Sequence, residues 1–418
     1  MNNTILIKNV SLDGKPTDIY IEGNRFKKIG GAASQQAADT VIDGSGMAIV
    51  PPYYNAHTHA SMTLMRGYAD DIELFRWLNE YIWPFEAKIT ERDIYIGAKL
   101  ACLEMIKSGT VFFNDMYWHC DNVWRAVDEM GMRACLGMTF VDSLDEKDIA
   151  YNFDLLQKNG TSDRIEYSVA PHAIYTVSEQ LWHRCAEQAR RVGARLHFHL
   201  SETRKEVDDC MAAHGTTPVR WLDKLGILGP DCIAAHVVHV DDEELALLRE
   251  RGVTIVHNPI SNMKLASGYF PTKRVIRSHC LVTLGTDGCS SNNNLDMREE
   301  AKVAALMAKC NYGPQTLPVD MVFDWATRNG ARAFGIDAGE IAEGKLADAM
   351  LIRLDNERMV PCHNLISNLI YSVSNEAVDT VICNGRILMQ GRRVAGEADI
   401  VAEARECCER IERVKSKE

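Results

Sequence analysis

Apolar and polar positions along this chain change their period twice. Near the start, Ile5 to Val10, Asp18 to Glu22 and Arg25 to Ile29 alternate with a period of two and are broken by Gly14, Gly23 and Gly30. A period of two places successive side chains on opposite faces, so these runs predict strands. The same texture returns near the end in Ala349 to Arg353, Thr380 to Cys383 and Arg386 to Gln390, with a hairpin turn at Asn384-Gly385. The final stretch, Ile400 to Lys417, is charged and amphipathic and predicts a helix. Two strand-rich ends around a different middle predict one small β-sandwich built from both termini.

The middle alternates between strand-like and helix-like segments. Eight strands are predicted: Ala48 to Asn55, Val111 to Asp115, Ala134 to Thr139, Ile165 to Ala170, Arg195 to Leu200, Cys232 to Ala235, Thr254 to Val256 and Leu281 to Gly285. Helical patterns separate most of them, at Glu91 to Lys107, Asn122 to Met130, Ser178 to Arg191, Val219 to Leu225, Asp241 to Glu250 and Met297 to Lys309. Eight strand–helix units in series predict an α/β fold, a (β/α)₈ TIM barrel. With 418 residues there is room for that barrel and a smaller module. The expected division is 1–50 and 339–418 for the sandwich and 51–338 for the barrel.

Composition narrows the partners. The formal net charge of -12 argues against general nucleic-acid or anionic-membrane binding, and no apolar run is long enough to span a bilayer. The start, Met1 to Ile7, has neither a basic leader nor a long apolar core. The 13 cysteines are scattered singly except for Cys407-Cys408, with no Cys-x-x-Cys pair. Reduced thiols and a cytoplasmic location are expected.

The chemistry concentrates where such a barrel keeps its active site, at the carboxyl ends of the strands. The first predicted strand runs into His57-Thr58-His59, the fifth into His197-Phe198-His199 with Glu202 beyond, the sixth into His236 and the eighth into Asp287. Residues i and i+2 of a strand face the same way, so His57 and His59 can reach one ion. Imidazoles with a carboxylate suit zinc, iron or manganese.

This order of His-x-His, His, His and Asp on strands one, five, six and eight resembles the amidohydrolase superfamily. The surrounding stretches resemble its branch of methylthioadenosine/S-adenosylhomocysteine deaminases and triazine chlorohydrolases. They are Asn55 to Gly67, Trp83-Pro-Phe-Glu86, His199 to Thr203, Ala235 to His239, His257 to Gly268, Leu284 to Gly288 with Asn292-Asn293-Asn294, and Gly344 to Asp348.

The resemblance implies that His57, His59, His199 and Asp287 bind one divalent metal, zinc before iron or manganese. Binuclear relatives use a lysine on the fourth strand, and Ile165 to His172 contains none. His236 then hydrogen-bonds the nucleophilic water, while His197 and His239 are expected to be structural. A metal lowers the pKa of water toward ~7. His236 and Asp287 would orient that water and take its proton, and Glu202 would protonate the ring nitrogen beside the carbon under attack.

By the same resemblance, Glu86 accepts hydrogen bonds from two ribose hydroxyls and His172 touches the base. Both imply a purine nucleoside whose 6-amino group leaves as ammonia. S-adenosylhomocysteine-processing relatives carry a carboxylate-binding arginine near the end of the third strand, where this chain has Met138. The loop that follows holds Lys147 as its only base. An apolar thioether there favours 5′-methylthioadenosine, 5′-deoxyadenosine or adenosine over S-adenosylhomocysteine. A second departure is Pro51-Pro52, where relatives usually have Pro-Gly. The alternatives are a deaminase of a free base or pterin, an s-triazine chlorohydrolase, or a scaffold protein without activity. The family's usual state is a homo-oligomer.

Overall fold

In the computed structural model, residues 3–415 are described, the side chains of 413–415 excepted. The chain builds two sheets of eight strands each. One is the barrel: β6 (Tyr53–Thr58), β7 (Thr110–Tyr117), β8 (Arg133–Phe140), β9 (Ile165–Pro171), β10 (Leu196–Leu200), β11 (Cys232–His236), β12 (Thr254–His257) and β13 (Leu281–Leu284) stand in sequence order, each parallel to the next. Their side chains are almost entirely buried, as expected for parallel strands covered on both faces. Seven of the eight predicted strands are present as single barrel strands, and only the second half of the first joins the barrel.

The seam between first and last strands is closed largely by a side chain. Asn55 Nδ2 donates to Thr286 Oγ1 at 2.7 Å, Thr286 N–H donates to Asn55 Oδ1 at 3.1 Å, and Asp287 N–H donates to the His57 carbonyl at 2.9 Å. Gly285 lets the backbones approach, because a Cβ there would lie 2.8 Å from His57 Cβ.

The second sheet joins both ends of the chain. Its order is β16 (Arg386–Met389), β15 (Val378–Cys383), β14 (Ala349–Arg353), β5 (Met47–Val50), β1 (Thr4–Leu12), β2 (Lys15–Glu22) and β3 (Arg25–Ile29), with β4 (Thr40–Asp43) also paired to β1. Its own core contains Ile5, Ile19, Phe26, Ile49, Leu351 and Ile382.

The predicted first barrel strand, Ala48 to Asn55, is therefore two strands in two sheets. Ala48 pairs with Ile352 in the terminal sheet, whereas Asn55 pairs with Phe113 in the barrel. Pro51-Pro52 lies between them, and two successive residues without N–H donors cannot continue a ladder.

The predicted helices recur within one to three residues at each end, for example Glu91–Ser108 and Glu179–Val192. The final helix spans Glu397–Lys415; Ser416 and Lys417, to which its prediction extended, lie outside the described residues. Helix Arg204–His214 went unpredicted because only Val207 and Cys210 form its buried apolar stripe. No helix among the described residues is long and apolar enough to cross a membrane.

At the amino end of the strands, Arg133 ties barrel to terminal sheet. Its Nε donates to Asp348 Oδ2 at 3.0 Å and its Nη2 to Asn384 Oδ1 at 2.6 Å, while the Tyr54 hydroxyl also donates to Asp348.

Candidate active site

At the opposite, carboxyl end of the barrel, His57, His59, His199, His236 and Asp287 converge. The ligand atoms of His57, His199 and His236 lie within 4.8 Å of one another, as do those of His57, His59 and Asp287. Each imidazole is held through Nδ1. His59 Nδ1 donates to the Met116 carbonyl at 2.6 Å, and His199 Nδ1 donates to the His172 carbonyl at 2.8 Å. His236 Nδ1 donates to Asn262 Oδ1 at 2.8 Å. His57 Nδ1 meets Nε2 of His197 at 2.8 Å, and His197 Nδ1 lies 3.2 Å from the Asp115 carbonyl. Carbonyl oxygens only accept, so the hydrogens sit on Nδ1 and the Nε2 atoms are left to face inward.

Asp287 faces the pair His57 and His59, its Oδ1 lying 3.3 and 3.2 Å from their Nε2 atoms. Its other oxygen accepts from the Ser261 and Ser291 hydroxyls at 2.6 and 3.0 Å. The backbone here is held off its ordinary conformations. Ser201, His236 and Asp287 have φ of 50, 74 and 62°, values that L side chains rarely adopt and that occur where surrounding structure over-determines a site.

Burial pushes His57 down to about 4 and His172 to about 3, and it holds His197 and His199 well below the ordinary histidine value. His59 is the exception: burial disfavours its charge, yet the Asp287 contact and charge and the Met116 carbonyl raise it to about 9. For Asp287 burial alone would raise the carboxyl, but His57 and His59 keep it well below the usual carboxylate range. His57 Nε2 is buried with no hydrogen-bond partner. An ionised carboxylate among converging imidazoles, one of which has a buried inward nitrogen without a partner, is a donor set that fits a divalent cation.

One cavity opens on this cluster. His59, His199, His236 and Asp287 stand on one side with Glu202, and Glu86, His172 and Tyr175 also line it. Glu202 Oε1 accepts from the Ser267 hydroxyl at 3.0 Å, and its Oε2 lies 3.9 Å from His236 Nε2. Burial raises the Glu202 carboxyl, opposed by His236. Glu86 is raised too, by burial first, with contacts to Tyr117 and Trp118 pulling the other way.

Trp83, Glu86, Trp118 and His172 also line a second hollow of about 640 Å³ that continues outward. Ile89, Ile94 and Val141 add to its apolar wall, and among the described residues no lysine or arginine lines it. Met138 belongs to neither space. It is 1% exposed within the barrel core, while its neighbour Thr139 lines the inner cavity. Alternation along β8 turns the thioether away from the site, which corrects the placement read from the sequence. Lys147 is exposed on helix Glu146–Leu155 and does not line the hollow.

Several residues that hold the site escaped the sequence reading. Ser261, Asn262 and Ser267 all fall inside the stretch His257 to Gly268, so a cluster of polar residues after a barrel strand was the available signal. His197 and His239 take the structural places expected of them: His197 backs His57, and His239 Nε2 donates to the Ser267 carbonyl at 2.6 Å.

Residues 48–388 match the amidohydrolase family. The chain belongs to that family. Among curated relatives, this amidohydrolase is 46% identical over 392 residues to a 5′-deoxyadenosine deaminase of Methanothermobacter thermautotrophicus, covering 92% of this chain and 91% of the relative. It is 43% identical over 429 residues to 5-methylthioadenosine/S-adenosylhomocysteine deaminase 1 of Archaeoglobus fulgidus, covering 97% and 99%. Among solved structures, an adenosine deaminase from Xanthomonas campestris with bound zinc matches with a TM-score of 0.93 at 33% identity, covering 98% of each chain.

Proposed function

We propose that this amidohydrolase removes the 6-amino group of adenine nucleosides by hydrolysis, releasing ammonia and the inosine-type product. The carrying observation is that one cavity holds a buried carboxyl, Glu202, beside the His236–Asp287 cluster, and a separate carboxyl, Glu86, suited to a vicinal diol. Relatives at 43–46% identity named for deaminating adenosine derivatives support the reading.

In this proposal His57, His59, His199 and Asp287 hold one divalent metal, zinc before iron or manganese. The metal supplies acidification of water at neutral pH. Asp287 and His236 orient the attacking water and accept its proton. Glu202, whose burial favours the protonated form, gives a proton to the ring nitrogen next to the attacked carbon, so charge does not build up on the ring. His172, kept neutral by burial, bounds the base, and Glu86 accepts from the ribose hydroxyls.

The second hollow receives the 5′ end. Its apolar wall without a lysine or arginine supports 5′-deoxyadenosine, 5′-methylthioadenosine or adenosine over S-adenosylhomocysteine, whose amino-acid carboxylate would find no guanidinium or ammonium partner there. The support thus rests on Ile89, Ile94 and Val141 rather than Met138. Thirteen unpaired thiols support a cytoplasmic setting, and a homo-oligomer is proposed from family resemblance.

An ammonia-release screen over those nucleosides, S-adenosylhomocysteine, guanine and s-triazines tests the proposal. We expect turnover of the first three nucleosides. Preference for S-adenosylhomocysteine would overturn the reading of the 5′ hollow, and activity only on free bases would overturn that of Glu86.

A further inference from the structure

Glu206 has no place in the chemistry above, yet it is 2% exposed and lies against the turn that presents Glu202. It is the third residue of helix Arg204–His214. Thr203 caps that helix through its side chain, accepting from Glu206 N–H at 3.1 Å. In a capping box the glutamate would reach back to the N–H of the cap residue itself. Here it reaches further. Oε1 accepts from Ser201 N–H at 2.8 Å and Oε2 from Glu202 N–H at 2.7 Å.

The gripped turn is strained and stapled from a second side. Ser201 has a φ of 50°, in the left-handed region that residues with a side chain rarely adopt. Its carbonyl accepts from Val238 N–H at 3.1 Å and His239 N–H at 2.9 Å, in the loop just after His236. The turn therefore joins the ends of β10 and β11, and Glu202 leaves it with its Oε2 3.9 Å from His236 Nε2. A carboxylate accepting two adjacent backbone donors fixes the orientation of both peptide planes. The helix could be capped by Thr203 alone, so the second, longer reach serves the turn.

We propose that Glu206 is a positioning residue for the deamination step: its carboxylate clamps the Ser201–Glu202 backbone and thereby sets where the Glu202 carboxyl meets the substrate ring. It touches no substrate and acts only through Glu202, so this inference rests on the role given to Glu202.

The test is a double-mutant cycle with Glu202→Gln and Glu206→Gln, in metal-loaded protein, reading kcat, KM, bound metal per chain and thermal unfolding. Glutamine keeps the size of the side chain but offers one acceptor and turns an N–H₂ toward the other backbone donor. Displacing a reacting group by about 1 Å costs on the order of a hundredfold. Glu206→Gln is therefore expected to lower kcat by about tenfold to a hundredfold, with KM within about threefold and metal content unchanged.

In the Glu202→Gln background the same change should cost less than about twofold, because the group being positioned has gone. Losses that multiply in the double variant would overturn the proposal, as would lost metal or a raised KM with kcat intact. Full activity of Glu202→Gln alone would instead refute the role of Glu202. Should Glu206→Gln fail to fold, Glu206→Asp, whose shorter side chain cannot reach both backbone donors, enters the same cycle: a kcat loss confined to the background that keeps Glu202 supports the clamp, and no loss there refutes it.

Discussion

His57 Nδ1 sits 2.8 Å from Nε2 of His197, and that contact decides which nitrogen of His57 faces the cluster. His197 is neutral and spends its one N–H on the Asp115 carbonyl, so its Nε2 can only accept. His57 must then carry its hydrogen on Nδ1 and present a bare Nε2. His197→Phe keeps the ring volume and removes the acceptor. We expect metal affinity to fall about 10- to 100-fold, measured by competition with a chelator, with the fold intact by circular dichroism. Unchanged affinity would show that His197 plays no part in orienting the ligand.

Metal uptake should depend on pH through His59. With its pKa raised to about 9 in the metal-free site, His59 holds a proton on the inward nitrogen at neutral pH, and a metal must displace it. A raised pKa means that the competing proton is bound below that value and absent above it. Apparent affinity should therefore climb by about tenfold per pH unit from neutrality toward pH 9 and level off beyond, with about one proton released per ion at pH 7.5. Zinc titrations against a chelator buffer across that range check this; a flat profile would contradict it. Chelation should abolish activity, and added zinc should restore it.

Glu86 is predicted to recognise the sugar. Glu86→Gln leaves one acceptor for two hydroxyls and should lower kcat/KM for adenosine by about ten- to a hundredfold, the value of hydrogen bonds to a charged group. On 2′,3′-dideoxyadenosine, which lacks both hydroxyls, variant and parent should differ by less than about threefold. Equal losses on both nucleosides would move Glu86 from sugar recognition to some other duty.

The join between barrel and terminal sheet can be probed away from the chemistry. Asp348 is fully buried and Arg133 is 4% exposed, so Asp348→Ala strands a buried guanidinium. Removing one partner of such a pair costs about 3–5 kcal/mol, which should appear as a lower denaturant midpoint. Because Arg133 opens β8 and the histidine–Asp287 cluster lies at the other end of the strands, kcat of the folded fraction should stay within about twofold of the parent.

The eight barrel strands and the five converging residues were legible from the sequence because both are local signals. A strand writes its period into neighbouring residues, and His57, His59, His199, His236 and Asp287 stand at or just past strand ends, where a barrel gathers them. The division at Pro51-Pro52 was less visible, since Ala48 to Asn55 reads as one apolar run whichever sheet each half joins.

What the sequence by itself determined was the inventory: barrel, terminal sheet, and histidines with a carboxylate of the kind that can hold a metal. Tertiary structure decided the rest. It turned Met138 into the core and left the second hollow to be walled by Ile89, Ile94 and Val141. It gave each histidine a partner that selects Nε2, and it set Glu206 against the turn bearing Glu202. The reason is physical. Periodicity and residue type follow from neighbours along the chain, whereas a ring nitrogen's partner, such as the Met116 carbonyl 57 positions from His59, exists only once distant strands lie side by side.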